Sequence, residues 1–182
     1  FWGDEAWTAL ISQFPLREIL RITGEDFHPP AYYFLVHGFI KLFGASEWIR
    51  LISIVFFLLT PLLVYFLTKK LADIKLGLIA AVVVAMSPIL FTYAFEARAY
   101  AMVAFISALT ALMFWQAITT RRWGWWLAYW LAGSMGVYTH YYMWFILAGQ
   151  GFYWLMVDRK QFWRVLAVYG GILLTQLPWL PV

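Results

Sequence analysis

The chain has no cysteine, so disulfides and thiolate metal sites are excluded, although this says little about compartment. Charge is scarce as well: 12% of the 182 residues, against about a quarter in ordinary soluble domains. No Gly-rich phosphate loop is present, so binding of ATP or a nucleotide sugar has no support. The three histidines, His28, His37 and His140, lack a close metal-ligand spacing. The chain opens at Phe1 without a methionine and stops at Val182 in apolar sequence. It reads as a piece of a longer protein, and the missing signal peptide carries no meaning. What is abundant is apolar surface: 64% of residues are hydrophobic, and the mean hydropathy is +0.75. A soluble fold of this size could not bury that much, so the composition predicts an integral membrane protein.

The apolar runs are continuous rather than alternating, which predicts helices and an all-α, polytopic fold. About 20 apolar residues cross the ~30 Å of hydrocarbon. Six spans are expected, at about Trp48–Leu67, Leu76–Phe95, Ala99–Thr120, Trp123–Thr139, Tyr141–Val157 and Val165–Leu180. Together they make a transmembrane bundle over 48–182, preceded by a loop region over 1–47. Only the polar pair Thr139-His140 separates the fourth span from the fifth.

Charge orients these spans. One set of turns carries Lys69, Lys70, Asp73, Lys75, Arg121, Arg122, Asp158, Arg159, Lys160 and Arg164, a net +6. The other side carries Arg17, Arg21, Lys41, Arg50 and Arg98 against Asp4, Glu5, Glu18, Glu25, Asp26, Glu47 and Glu96, a net −2. Short basic loops stay in the cytoplasm, so the second set is expected to face outward. Between Leu76 and Thr120 the only charged residues are Glu96 and Arg98, and they fall at an outer turn. His140, among Tyr138, Tyr141 and Tyr142, marks another outer turn.

The first 47 residues read as helices lying in the interface. Trp7, Leu10, Ile11 and Phe14 repeat at helical spacing, Pro15 interrupts, and Leu16, Ile19 and Leu20 resume the stripe. A second helix is expected after His28 as cap, with proline at its first position and Gly44 at its end. Tyr33, His37 and Lys41 recur every four residues as a polar seam along it. Ser46 and Glu47 are expected to cap the first span.

Several residue types here suit chemistry, each beside a plainer account. Asp4 and Glu5 fit a general base, and equally an acidic start to an amphipathic helix. Glu96 and Arg98, two apart, do not face each other on a helix, yet ionisable groups near hydrocarbon are costly and mark functional sites. The planar fork of arginine suits a lipid phosphate. His140 between tyrosines fits an aromatic belt, to which the twelve tryptophans belong, and is only a weak candidate for zinc. Nothing points to nucleic acid.

In order and spacing, "GDEAW", "HPPAYYFLVHGFIKLFG", "FEARAYA" and "YTHYY" resemble the bacterial branch of the protein O-mannosyltransferase-like glycosyltransferases. These are polytopic enzymes of the GT-C type, a group that includes the lipid A aminoarabinose transferases. The resemblance implies transfer of a sugar from a polyprenyl-phosphate donor on the extracytoplasmic face of a prokaryotic plasma membrane. The acceptor would be a protein, a lipid or a glycan. It places Asp4 and Glu5 at the catalytic centre, and Arg98 near the donor phosphate with Glu96 and Tyr100 alongside. His28, Tyr33, His37, Lys41, Tyr138 and His140 would line the cavity. Phe95 departs from the polar residue expected before E-A-R, and Ala31 from the commoner leucine after the two prolines. The implied reaction is inverting, with Asp4 as the base; a divalent metal at Asp4, Glu5 or His28 is left open, and no other cofactor is expected. The rival reading is a transporter or structural subunit handling lipid-linked sugars. Charges at span ends rather than mid-membrane favour surface chemistry.

Overall fold

The computed structural model describes residues 3–26, 28–157, 159–177 and 179. Asp158, counted above among the basic turns, and Leu180, the expected end of the last span, lie outside them. Ten α-helices follow one another, and no strand occurs among the described residues. They are α1 (Gly3–Ile11), α2 (Leu16–Gly24), α3 (Ala31–Phe43), α4 (Arg50–Leu71), α5 (Ile74–Ala85), α6 (Pro88–Ala94), α7 (Tyr100–Thr120), α8 (Trp123–Thr139), α9 (Met143–Val157) and α10 (Phe162–Gln176). The all-α, polytopic class holds.

The number of full-length spans differs from the expected six. Among the described residues, two helical segments are by themselves long and apolar enough to cross a membrane, the 25 residues Glu47–Leu71 and the 21 residues Tyr100–Thr120. The expected span at Leu76–Phe95 is broken into α5 and α6, which meet at 58°. Pro88 causes the break: a residue before proline is driven out of the helical region, and Ser87 sits at φ −66°, ψ 115°. Pro88 then opens α6 at its first turn, where a missing N–H costs nothing. Helices α8, α9 and α10 have 17, 15 and 15 residues. At 1.5 Å per residue they reach roughly 22–26 Å, short of the hydrocarbon thickness. The division at His140 stands where it was expected, with that residue extended at φ −162°, ψ 139°.

Helix α4 packs along α5 and α7, α7 along α8, and α8 along α10. One core runs through the bundle from Val36 and Ile49 through Met102 and Ile106 to Trp126, Leu147 and Ile172. Gly136 permits the close approach of α8 to the start of α9: a Cβ there would stand 2.8 Å from the Met143 methyl and 3.1 Å from Ile106. On the basic side, Gln161 accepts from the Trp126 indole N–H at 3.2 Å and donates to the Ile118 carbonyl at 3.1 Å.

The amino-terminal helices form as the stripe predicted, but their apolar face divides. Ile11, Ile19 and Tyr33 bury against one another, while Trp7, Leu10, Phe14 and Leu16 remain exposed. Three capping expectations are corrected. His28 does not cap α3; Pro30 takes the N-cap position, and its carbonyl accepts the Phe34 N–H at 3.0 Å. Proline therefore precedes the first helical position, which Ala31 takes. Ser46 starts a short 3₁₀ turn, Glu47–Ile49, through its backbone carbonyl and makes no side-chain cap. Gly44 does end α3, at φ 83°, a left-handed backbone that side chains rarely adopt.

Candidate active site

Adjacent helical residues point about 100° apart. Asp4 and Glu5, the first acids of α1, therefore face different surroundings. Asp4 is open to solvent, its side chain 58% exposed, and ion-pairs with Arg98 at 2.8 Å. Glu5 is completely buried. Its carboxylate receives the Arg50 guanidinium through two hydrogen bonds, at 2.8 and 2.7 Å, and also the Ala97 amide at 2.8 Å. The resemblance implied Glu5 at the catalytic centre; here it joins α1, α4 and the turn before α7.

That turn, Phe95 to Ala99, carries Arg98. Glu5 fixes its Ala97 N–H, and the Ser53 hydroxyl donates to the Arg98 carbonyl at 3.2 Å. Ser53 in turn bonds the Tyr32 hydroxyl at 2.8 Å. Held from both sides, the turn directs the Arg98 guanidinium toward α1. One arm meets Asp4, another donates to the Tyr100 hydroxyl at 3.0 Å, and the group lies 4.6 Å over the Tyr100 ring. Such a contact between cation and aromatic face adds attraction without using the outer donors.

These groups border a cavity of about 400 Å³. Helix α1 contributes Asp4, Trp7 and Thr8, and the link from α2 to α3 contributes Asp26, His28 and Pro29. The other walls are Tyr32 and Tyr33 of α3, Arg98 to Tyr100, and Thr139 with His140 at the end of α8. Burial, with the carboxylates of Asp26 and Asp4, holds the Tyr33 hydroxyl well above the usual tyrosine range, so it stays protonated. Burial first, then the nearby His28 and Arg98, lowers the His140 pKa from 6.5. The neutral ring accepts the Tyr142 amide at Nδ1 over 3.2 Å.

Of the residues singled out in the sequence, Asp4, His28, Tyr33, Arg98, Tyr100 and His140 come together here. His37, Lys41, Tyr138 and Glu96 lie outside the lining. The polar seam on α3 does not act as a unit: His37 donates to the Ser12 carbonyl at 2.9 Å, and Lys41 is exposed one turn further along. Tyr138 donates to the Thr175 carbonyl of α10. Glu96 leaves one buried carboxylate oxygen without a hydrogen-bond partner. Asp26, Arg50 and Ser53 were not anticipated. Only Asp26 carried a signal, its spacing of two from His28. Among the described residues no group of three or more His, Cys, Asp or Glu could hold a metal ion.

The family described as dolichyl-phosphate-mannose-protein mannosyltransferase matches residues 27–182. No curated protein and no solved structure matches the chain. The matched stretch contains every cavity residue except Asp4, Trp7, Thr8 and Asp26. It covers far more than half of the sequence, and so the chain belongs to the dolichyl-phosphate-mannose-protein mannosyltransferase family.

Proposed function

We propose that this membrane glycosyltransferase moves a sugar from a polyprenyl-phosphate donor to an acceptor on the extracytoplasmic face of a prokaryotic plasma membrane, with inversion. The observation that carries the reading is the Asp4–Arg98 pair at 2.8 Å on the wall of a cavity large enough for a sugar. In this reading the donor phosphate takes over the Arg98 fork, which Tyr100 continues to hold. Asp4, released from the arginine, accepts the proton of the attacking hydroxyl. The hydroxyl oxygen bonds to the anomeric carbon, and the bond from that carbon to the phosphate oxygen breaks. Its electron pair leaves with polyprenyl phosphate, whose charge Arg98 neutralises.

A placed cation at a developing anion supplies several kcal/mol, and a general base about 10²–10⁴-fold in rate. The outward direction rests on the charge balance, which puts Asp4 and Arg98 opposite the basic turns. The test uses the full-length parent protein in membranes with radiolabelled polyprenyl-phospho-sugars. Asp4→Asn is expected to lower turnover by about 10²–10⁴-fold with the donor KM retained. Arg98→Ala is expected to raise the donor KM. Near-normal turnover in Asp4→Asn would reject Asp4 as the base, and label carried across the bilayer without transfer would reject the enzyme.

A further inference from the structure

Asp26 and His28 take no part in the transfer as proposed, yet both line its cavity. His28 Nδ1 stands 3.3 Å from Asp26 Oδ2. A carboxylate only accepts, so Nδ1–H donates to it, and the neutral imidazole keeps its lone pair on Nε2. The His28 ring meets the His140 ring edge to face at 6.0 Å. His140 has the opposite arrangement. Its Nδ1 accepts the Tyr142 amide, which puts the proton of the neutral ring on Nε2. Of the two lining histidines, one in its neutral form therefore carries an acceptor at Nε2 and its neighbour a donor.

The two ends of the cavity also differ in charge: Arg98 is paired with Asp4 at one, and Asp26 has no arginine or lysine beside it among the lining residues at the other. The His140 ring lies 6.0 Å from the Tyr100 ring as well, and the Tyr100 hydroxyl takes a hydrogen bond from the Arg98 guanidinium. A phosphate suits the arginine end. Beside Asp26 it would meet like charge and an imidazole lone pair. A hydroxyl suits that second end, because it both gives and takes a hydrogen bond. The exposed Trp7 ring and Pro29 add apolar wall for the carbon skeleton next to it.

We propose that Asp26 and His28, faced by His140, form the acceptor subsite, in which His28 Nε2 receives a hydrogen bond from a hydroxyl of an uncharged acceptor. Asp26 is then a positioning residue: it fixes the ring orientation and the tautomer. The inference rests on the transfer reading above, with Asp4 still taking the proton in the chemical step.

The experiment follows radiolabelled polyprenyl-phospho-mannose in membranes containing the full-length parent. Label is divided between acceptor-bound and free sugar, and the donor KM is measured. Protease digestion and solvent extraction sort the acceptor-bound label into protein, glycan and lipid hydroxyls. His28→Ala and Asp26→Asn are expected to cut acceptor-bound label tenfold or more, with the donor KM unchanged within about twofold. His28→Gln, whose amide oxygen can accept the same bond, is expected to recover part of the loss. A retained donor KM also shows that each variant is folded. A raised donor KM with the acceptor-bound fraction unchanged overturns the subsite, as does equal loss in His28→Gln and His28→Ala. If the parent neither transfers nor releases label, the transfer reading itself falls, and the subsite with it.

Discussion

Removing Arg50 tests the strut that holds Arg98 in place. Glu5 is completely buried, and its partner's side chain is about one-third exposed, with relative areas of 0% and 32%. Arg50→Ala takes the counter-charge from a carboxylate that cannot reach water. Breaking a buried pair from one side costs about 3–5 kcal/mol, against 0–1 for a surface pair. The Ala97 amide still donates to Glu5, which favours the lower half of that range. Glu5→Ala instead leaves Arg50 partly solvated and orphans one buried amide, at about 1–3 kcal/mol. The arginine variant is therefore expected to be the less stable of the two. The double variant has no uncompensated carboxylate, so its cost is expected to fall below the sum of the singles by about 1–3 kcal/mol. Unfolding of the full-length parent in micelles, followed by tryptophan fluorescence across the four proteins of this cycle, supplies the numbers. A loss under about 1 kcal/mol for Arg50→Ala, with additivity, would refute a buried strut.

Two further outcomes follow from the packing around His140. Because its folded pKa lies below 6.5, the unfolded chain binds the proton more readily. Stability from this residue is thus complete above pH 6.5 and declines as the pH falls through 6.5 toward the folded value. His140→Gln should flatten the melting profile of the parent below pH 6.5, and an unaltered slope would count against burial as the cause. Gly136→Ala would put a methyl 2.8 Å from Met143 Cε and 3.1 Å from Ile106 Cγ2. The methionine end can yield and the branched carbon less so, giving a loss of about 1–2 kcal/mol in melting experiments. A gain in stability would show that α8 and α9 leave room the geometry denies.

The site was partly legible because polar residues are rare in this chain. Arg98 and His140 stood out against apolar surroundings, and both line the cavity. Asp4 and Glu5 could not be told apart in the same way. They are neighbours of one type, and only the direction of each side chain from α1 gives Asp4 the cavity and Glu5 the protein interior. Arg50 escaped notice because an arginine at the head of a span is ordinary. Its partner is 45 residues away, and no local pattern joins them. The seam of Tyr33, His37 and Lys41 misled for a related reason. Spacing of four puts residues on one helical face, but that face meets the cavity, the Ser12 carbonyl and solvent in turn.

Composition by itself determined the solvent and the helical class, because a bilayer leaves unpaired backbone few alternatives. Pro88 and Gly44 also carried their conformations in their covalent structure, although the 58° between α5 and α6 did not follow from proline alone. What only the tertiary structure decided is which groups meet. Asp4 with Arg98, Glu5 with Arg50 and Ala97, and His28 with His140 join segments 45 to 112 residues apart. Such pairings depend on helix rotation and crossing, which are set by the packing of whole side chains and leave no trace in periodicity.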